Sequence, residues 1–381
     1  MSPPARLHVA VDVSAVPARP AGAGQYTVAL VEALGRRADV DLTLLCRTGD
    51  DGRWVLVAPG ATTLPGAPNP RPLRLAWEQA AMPLVLRRHP VDVLHSPHYT
   101  MPERSGVPRV VTIHDLTFFD HPEWHERTKV PFFRRAIRSA ARHADALICV
   151  SETTASRLRE LLHPSSPIHV ILHGIDHGRF HADGTGDGAV LDRLGLRGPF
   201  IAFVGTIEPR KAVPFLVRAF DRVAGAHPEL RLVLAGSDGW GAAEVGATIR
   251  AARHGDRVLR TGYVPDDAVP ALLRQAAAVA YPSQEEGFGL PALEALACGA
   301  PLVTTTGSAM EEMVGEAALM TAPNDVAGLA GALDMLVRGD ARLADRRARG
   351  IAIAARHTWD GCAEAHVGVY RSVVPAPPAD R

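Results

Sequence analysis

The stretch EEGFGLPALEALACG, residues 285–299, joins a glycine-containing loop to a predicted helix. Pro291 suits the first turn of a helix, where its missing N–H is not needed, and Gly299 is a typical residue just after a helix end. Apolar runs precede and follow this stretch at residues 277–283 and 300–306. The order strand, loop, helix, strand is the repeating unit of a parallel sheet.

The same alternation extends over most of the chain. Short apolar runs, rich in Val, Ile and Leu, are separated by longer segments of helical period, such as residues 25–37, 73–88 and 129–142. This pattern predicts parallel sheets covered on both faces, and hence an α/β protein with two doubly wound, Rossmann-like domains. The predicted strands form a first series (residues 7–13, 40–46, 91–96, 108–115, 146–151 and 168–174) and a second (199–206, 230–237, 257–263, 277–283, 300–306 and 317–321).

A Gly/Asp-rich segment at residues 181–190 separates the two series, as an exposed linker would. We predict one domain over residues 1–185, a second over residues 186–355, and a C-terminal helix and tail over residues 356–381. Open α/β sheets bind ligands at the carboxyl ends of their strands. We therefore expect the site in a cleft where these edges of the two domains face each other.

Composition excludes several classes of protein. The 41 basic and 41 acidic residues give no net charge, which does not indicate a nucleic-acid binder. The four cysteines are far apart, so neither a disulfide framework nor a zinc ribbon is predicted, and a reducing cytoplasm fits best. No apolar run approaches the roughly 20 residues of a spanning helix. We expect a cytoplasmic protein that is at most peripheral to a membrane.

Two carboxylates frame the stretch at residues 285–299. Glu286 lies in the loop and Glu294 about one turn inside the helix, while Gly287 and Gly289 let the backbone approach a ligand closely. The free N–H groups of a helix start bind anions, and carboxylates accept hydrogen bonds from hydroxyls. A phosphate with hydroxyls on either side describes a nucleotide sugar; the alternative is an ordinary surface helix with solvated glutamates.

A second motif, FVGTIEPRKAVPFLVRAF at residues 203–220, places Arg210 and Lys211 just before a helix. Two cations there can neutralise a diphosphate without a metal. After the first strand, PARPAGAGQYTVAL at residues 17–30 contains Gly24, whose surroundings could present backbone amides to the phosphates; a plain βα turn fits as well. This loop is not GxGxxG, which argues against a nicotinamide enzyme.

A further motif, VVTIHDLTFFDHPEWHE at residues 110–126, puts His114 and Asp115 at the carboxyl end of a strand. This position favours a functional histidine, with Asp115 orienting it or binding an acceptor hydroxyl. His121 and His125 have the spacing of metal ligands, but no third ligand is apparent, so we predict no metal site.

The following stretch, RTKVPFFRRAIRSAARH at residues 127–143, combines basic and aromatic residues. It could rest on anionic lipid or a lipid-linked acceptor, or form an ordinary surface helix.

The strings PSQEEGFGLPALEALACGAPLVTT, GTIEPRK and VTIHDLTFF resemble the motifs of retaining glycosyltransferases of family 4. The resemblance runs from about Arg6 to Tyr370 and is greatest to bacterial mannosyltransferases of polysaccharide assembly. It implies the GT-B fold of two facing Rossmann-like domains, the first binding the acceptor and the second the nucleotide sugar. It also implies that the last helix, at about residues 359–370, crosses back to the first domain.

The resemblance assigns a role to each candidate residue. Glu286 and the backbone of Gly287, Phe288, Gly289 and Leu290 would meet the donor's sugar and phosphate, and Glu294 its ribose. Arg210, Lys211 and Gly24 would lie at the diphosphate, Tyr263 and Val264 would flank the base, and His114 would contact the transferred sugar.

We therefore predict a retaining hexosyltransferase that uses a nucleotide sugar, GDP-mannose before UDP-sugars, and needs no metal or resident cofactor. The acceptor would be a glycan or a lipid-linked molecule. The alternatives are a nucleotide-sugar binding protein without turnover and, on the same fold, an epimerase or a phosphorylase. A phosphorylase of the glycogen type needs a pyridoxal-phosphate lysine, and neither Lys129 nor Lys211 lies where that cofactor is expected.

Overall fold

The computed structural model describes residues 6–339 and 341–375. The chain divides into two compact units. The first unit contains the residues up to Gly174 together with those from Trp359 onwards, and the second contains Ile175–Thr358. The chain therefore leaves the first unit once and returns to it for its last helix.

The first unit is built on a seven-stranded parallel sheet in the order β3-β2-β1-β4-β5-β6-β7. Its central strand β1 pairs with β2 on one side and β4 on the other, so that Val9 lies opposite both Leu42 and Val93. The strands are β1 (Leu7–Asp12), β2 (Val40–Arg47), β3 (Thr62–Ala67), β4 (Val93–Ser96), β5 (Arg109–Ile113), β6 (Ala146–Cys149) and β7 (Ile168–Val170).

Helices connect these strands and cover the sheet. They are α1 (Ala23–Gly35), α2 (Asp51–Val57), α3 (Arg71–Ala80), α4 (Met82–Arg88), α5 (Thr117–Asp120), α6 (Lys129–His143) and α7 (Glu152–Leu162). The single helix predicted over residues 73–88 is two helices: α3 ends before Ala81, and α4 begins after it with Pro83 in its first turn. Proline is tolerated in that first turn but not inside a helix.

Strand β3 was not predicted. Its sequence, TTLPGA, contains Pro65 and Gly66, which disfavour a central strand. The structure places β3 at the edge of the sheet, paired only with β2. An edge strand tolerates proline because one side of its backbone needs no partner in the sheet.

The last helix, α16 (Trp359–Val373), belongs to the first unit and packs on it through a buried apolar face. Cys362, Ala363, Val367 and Tyr370 join the core that α1 and β1 also form. The prediction that this helix crosses back is confirmed.

Buried polar side chains add specific bonds to that packing. Tyr370 Oη lies 2.7 Å from His95 Nδ1 on β4, and His366 Nε2 lies 2.7 Å from Tyr26 Oη on α1. Both pairs are buried, and each joins α16 to an element from the opposite end of the chain. Buried polar groups of this kind need such partners, so they fix the register of the helix on the unit.

The second unit has a six-stranded parallel sheet in the order β10-β9-β8-β11-β12-β13. Its strands are β8 (Phe200–Val204), β9 (Arg231–Ala235), β10 (Val258–Gly262), β11 (Ala278–Tyr281), β12 (Leu302–Thr305) and β13 (Leu319–Thr321). Its helices are α8 (Asp187–Arg193), α9 (Val213–Ala224), α10 (Ala242–Ala251), α11 (Ala268–Gln275), α12 (Leu290–Ala297), α13 (Ala309–Val314), α14 (Val326–Arg338) and α15 (Leu343–Ala354). This strand order is that of a Rossmann-like domain, in which the order reverses between β8 and β11.

The first boundary between the units lies earlier than the predicted one after residue 185. The segment 175–185 is bonded to the second unit: Ile175 N donates to His357 O at 3.1 Å, and Arg274 Nη1 donates to His181 O at 3.1 Å. The second boundary falls at Trp359 rather than at residue 356. A glycine-rich composition indicated an exposed linker, but it did not reveal these bonds.

A buried ion pair fixes the start of α8 to α11 in the second unit. Arg274 donates to both carboxylate oxygens of Asp187, at 2.7 and 2.9 Å, and the two side chains are only 10% and 4% exposed. Removing one partner of such a pair leaves an uncompensated buried charge. We expect Asp187→Asn to lower the free energy of unfolding by about 3–5 kcal/mol, measured by urea denaturation of the full chain.

Asp267→Asn is the matched control. Asp267 pairs with Arg193 at 2.7 Å, but both side chains are about 60% exposed, and exposed pairs contribute about 0–1 kcal/mol. Equal effects of the two substitutions would contradict the role of the buried pair.

Candidate functional site

The point of strand-order reversal brings two sequence motifs together in the second unit. The loop after β8 carries Arg210 and Lys211, and the loop after β11 carries Glu286. β8 and β11 are neighbours in the sheet, so their carboxyl ends are adjacent. Ligands of open α/β sheets bind at this switch point.

Glu286 is the centre of this cluster. Lys211 Nζ donates to its Oε1, and Arg210 Nη1 donates to its Oε2 at 2.6 Å. Ser283 Oγ donates to Oε1 at 2.9 Å, so three side chains hold one carboxylate. Glu286 and Lys211 are buried, at 8% and 7% exposure. The two residues predicted to meet the diphosphate are therefore paired with the residue predicted to meet the sugar.

The environment of the cluster shifts its pKa values. Burial alone would raise the pKa of Glu286, but the charges of Arg210 and Lys211 and their hydrogen bonds lower it to about 2. Burial and the neighbouring Arg210 lower the pKa of Lys211, and Glu286 opposes this shift. Glu286 is therefore ionised at neutral pH.

The backbone around the cations has an unusual conformation. Ala212 has φ +50°, a left-handed value that is unfavourable for a residue with a side chain. It is held there between a 3₁₀ turn at Pro209–Lys211 and α9. Arg210 O also accepts from Gln284 N at 2.8 Å, which ties this turn to the loop after β11.

The predicted helix after the Gly-Phe-Gly loop is present as α12, with Pro291 in its first turn. Gly289 precedes it with φ +92°, and a Cβ atom there would lie 2.4 Å from Met310 Cγ. Only glycine fits this position. Gly287 and Leu290 are half-buried and Phe288 is buried, so the loop is packed on the unit.

Glu294 lies inside α12 and is half-buried. Burial raises its pKa to about 7, although Arg179 and Lys211 act in the opposite direction. Within the part of the chain that the structure describes, its carboxylate has no hydrogen bond or ion pair. The hydroxyl of Tyr281, at the end of β11, is also buried and without a partner among the described residues. Glu294 and Tyr281 thus both have hydrogen-bonding capacity that the described chain leaves unused.

Tyr263 and Val264 follow β10. Tyr263 is 69% exposed, whereas Val264 is buried. Tyr263 Oη donates to Asp266 Oδ1 at 3.4 Å. An exposed aromatic ring beside a buried valine fits the predicted contact with a base, which stays a prediction.

In the first unit, His114 lies directly after β5 and is buried. Its Nε2 is 2.8 Å from Pro97 O, and since a carbonyl only accepts, the proton is on Nε2. Burial lowers the pKa of His114, so its ring is neutral at pH 7. It can then offer only Nδ1 to a ligand, as an acceptor.

Asp115 and Gly24 have local structural partners. Asp115 Oδ1 accepts from the backbone N of Thr117 at 3.1 Å and from its Oγ1 at 2.6 Å, two local bonds at the start of α5. Gly24 lies in the first turn of α1, where a Cβ atom would be 3.1 Å from Pro20 Cβ. Their predicted roles at a ligand remain predictions.

His121 and His125 are engaged with other groups. His121 Nδ1 is 3.0 Å from Glu123 Oε1, and the His121 ring stacks on Trp124. His125 Nε2 is 2.9 Å from Thr117 Oγ1, and its ring stacks on Phe118. Among residues 6–339 and 341–375, no three His, Cys, Asp or Glu side chains are grouped to hold a metal ion.

The basic stretch at residues 127–143 forms α6, which buries Val130 and Ile137. Arg134 and Arg138 lie over the ring of Phe119, at 5.7 and 5.0 Å from its centroid. Contact with anionic lipid stays a prediction. No helix in the described ranges has both the length and the apolar character of a membrane span.

Sequence reasoning missed several residues that shape these sites. Ser283 was not singled out, although a hydroxyl three residues before Glu286 is within reach of its carboxylate. Tyr26 was also missed: its ring packs edge-on against His114 at 5.1 Å and stacks on His173 at 4.7 Å. No local sequence pattern could have indicated the contacts of Tyr26, because His114 and His173 are distant from it in sequence.

The raised pKa of Glu294 has a consequence for stability. Between its usual pKa of 4.5 and about 7, the folded chain holds a proton that the unfolded chain has lost, so stability falls as pH rises through this window. Glutamine mimics the protonated acid. We expect Glu294→Gln to exceed wild type in free energy of unfolding by roughly 1–3 kcal/mol at pH 8 and by clearly less at pH 5, measured by urea denaturation at both pH values.

Glu286→Gln provides the contrast. Its pKa lies near 2, so the carboxylate is charged at both pH values and its loss leaves Lys211 unpaired. This variant should melt below wild type at pH 5 and at pH 8. If the effect of Glu294→Gln on stability did not depend on pH, the pKa of the Glu294 carboxyl would not be raised.

Comparisons with known proteins agree with this architecture. A profile described as Glycosyltransferase Family 4 matches residues 20–179, and one described as Glycosyl transferases group 1 matches residues 198–338. The O-antigen chain mannosyltransferase B of Escherichia coli is 28% identical over 304 residues, which are 79% of this chain and 77% of that protein.

A second relative covers nearly the whole chain. The D-inositol 3-phosphate glycosyltransferase of Acidothermus cellulolyticus is 31% identical over 391 residues, 93% of this chain and 86% of the relative. The structure of Anabaena HepE in complex with UDP-glucose has the same fold, with a TM-score of 0.76 at 18% identity over 96% of this chain and 100% of that one. The chain therefore belongs to the family 4 glycosyltransferases and has their GT-B architecture of two Rossmann-like α/β domains.

Proposed function

We propose that this glycosyltransferase transfers mannose from GDP-mannose to a glycan or lipid-linked acceptor, with retention of the anomeric configuration. The observation that carries the proposal is the cluster of Lys211, Arg210 and Glu286 at the switch point of the second sheet. It combines two cations suited to a diphosphate with a carboxylate suited to hydroxyls. The similarity to a mannosyltransferase supports the choice of sugar.

The donor would replace part of the internal pairing of this cluster. In the structure, Lys211 and Arg210 both bond to Glu286, and Arg210 also pairs with Glu208 at 3.0 Å. A diphosphate carries more negative charge than one carboxylate and accepts several charge-assisted hydrogen bonds. The cations would turn to the phosphates, and Glu286 would turn to the sugar hydroxyls. Glu294, whose carboxylate has no partner among the described residues, would accept from the ribose.

In the reaction, the bond between the sugar's anomeric carbon and the β-phosphate oxygen breaks, and the acceptor hydroxyl attacks from the same face. The departing β-phosphate takes the acceptor's proton, so no protein nucleophile is needed. Lys211 and Arg210 stabilise the charge that develops on this phosphate, and the enzyme acts by positioning and electrostatics. His114 is neutral and donates from Nε2 to Pro97 O, so it would accept a hydrogen bond from the transferred sugar through Nδ1.

UDP-sugar donors are the second candidate. HepE, which shares the fold, was solved with UDP-glucose. Incubation with GDP-mannose and with UDP-glucose, followed by detection of released GDP or UDP in the presence of acceptor glycans, separates the two. Nucleotide binding without release from either donor would favour the non-catalytic alternative.

Substitutions in the cluster should separate donor binding from transfer. Glu286→Gln removes the carboxylate that the sugar needs and releases Lys211 for phosphate, while Arg210 keeps its ion pair with Glu208 at 3.0 Å. We expect its transfer rate to fall at least about 100-fold, while the thermal stabilisation by GDP stays equal to wild type or becomes larger. Lys211→Met should lose both the transfer activity and the thermal stabilisation by GDP. The measurements are nucleotide release and melting temperature with and without GDP.

Lys129→Met is the matched control, since Lys129 is the other lysine of the chain and lies on the surface, paired with Glu126. Because Lys129 also begins the basic stretch at residues 127–143, it is a control for donor binding: its thermal stabilisation by GDP should equal that of wild type. If Glu286→Gln lost its GDP response together with its activity, the proposed exchange of partners would be wrong. An inverted anomer, seen by proton NMR of the product, would refute retention.

A further inference from the structure

Two exposed aromatic side chains lie at the same edge of the second sheet. Trp240 is 63% exposed and Tyr263 is 69% exposed, and they are the aromatic members among the large hydrophobic residues that the described chain leaves exposed. Trp240 is in the loop after β9, and Tyr263 directly follows β10. Single exposed hydrophobic residues are common, but two aromatic rings at one ligand-binding edge indicate a contact surface.

The loops that carry these rings adjoin each other. Gly236 N donates to Gly262 O at 2.8 Å, where strands β9 and β10 end. An ion pair joins the same two segments, because Arg260 of β10 donates to Asp238 in the loop after β9. Trp240 and Tyr263 thus extend from neighbouring loops that are joined by a backbone bond and an ion pair.

The loop of Trp240 is also fixed to the loop that leads to the cations. Ile207 N donates to Ser237 O at 3.0 Å, and Gly239 N donates to Ile207 O at 3.2 Å. The backbones are so close that a Cβ atom on Gly239 would lie 2.8 Å from Ile207 O. Gly241, after Trp240, faces the ring of Pro209. Trp240 is therefore held beside the turn that contains Arg210 and Lys211.

We infer that Trp240 is a specificity residue that stacks on the base of the donor nucleotide, with Tyr263 as the second aromatic contact, and that this surface favours a purine. The inference rests on the proposed donor site. With the phosphates at the cations beside the Trp240 loop, we place the base on the β10 side of the same edge, because the exposed rings of Trp240 and Tyr263 are on that side. A purine has two fused rings and gains more from two aromatic surfaces than a single-ring pyrimidine does.

The chain offers a direct probe of this contact. Trp240 is the only tryptophan in the sequence of residues 175–358, and Trp54, Trp77, Trp124 and Trp359 belong to the first unit. We would titrate the full-length protein with GDP and with UDP, and follow tryptophan emission in wild type and Trp240→Phe. Calorimetry on the same samples gives the dissociation constants independently.

GDP should change the emission of wild type with the dissociation constant found by calorimetry. Trp240→Phe, which keeps an aromatic face, should bind GDP within about threefold of wild type and lose the emission change. Trp240→Ala should bind GDP about tenfold more weakly and UDP with a smaller loss, because stacking on one aromatic side chain contributes roughly 1–3 kcal/mol. Met335→Ala, at another exposed apolar residue of the second unit, is the control and should bind both nucleotides as wild type does.

The outcomes separate this inference from the proposed function. If wild type binds GDP by calorimetry but Trp240→Ala binds it equally well, Trp240 is not a base contact, while the donor site stands. Tighter binding of UDP than of GDP would overturn the preference for a purine. If neither nucleotide binds wild type, both the inference and the proposed donor site fail.

Discussion

The buried carboxylate of Glu286 and its two cations set the structure of the second unit's ligand edge. They join the turn after β8 to the loop after β11 across the point where the strand order reverses. Replacing a buried ion pair by apolar residues is often neutral or stabilising, so such a pair is weak evidence for stability alone. The cluster fixes the positions of two cations and one carboxylate, partly screened from water, at the switch point of the second sheet.

Two glutamates eight residues apart in one loop and helix have opposite environments. The charges of Arg210 and Lys211 lower the pKa of Glu286 to about 2, against the effect of burial, whereas burial dominates for Glu294 and raises its pKa to about 7. The difference arises because Lys211 and Arg210 contact Glu286 directly, whereas Glu294 feels Arg179 and Lys211 only from a distance. Glu286 is thus ionised at neutral pH, whereas Glu294 changes between its acid and anionic forms near neutral pH.

The sequence predicted the parts of this arrangement that depend on local pattern. Apolar runs located the strands of both sheets except β3, and Pro291 with Gly299 located α12. Lys211, Glu286 and His114 were predicted as site residues because each follows the end of a predicted strand. The sequence could not show that the predicted phosphate and sugar residues pair with each other, because that contact joins residues 75 positions apart. The sequence also did not show that residues 175–185 bond to the second unit, because composition carries no information about tertiary hydrogen bonds.

The surroundings of His114 show most clearly how far such contacts reach. Tyr26 packs on His114, and Tyr26 and Trp359 both stack on His173. The chain leaves the first unit directly after His173 and Gly174 and returns to it at Trp359. Tyr26 is also held by His366 of α16 and by Thr112 of β5. The last helix therefore contributes, through Tyr26, to the packing around His114, and this contribution can form only after the second unit has been synthesised.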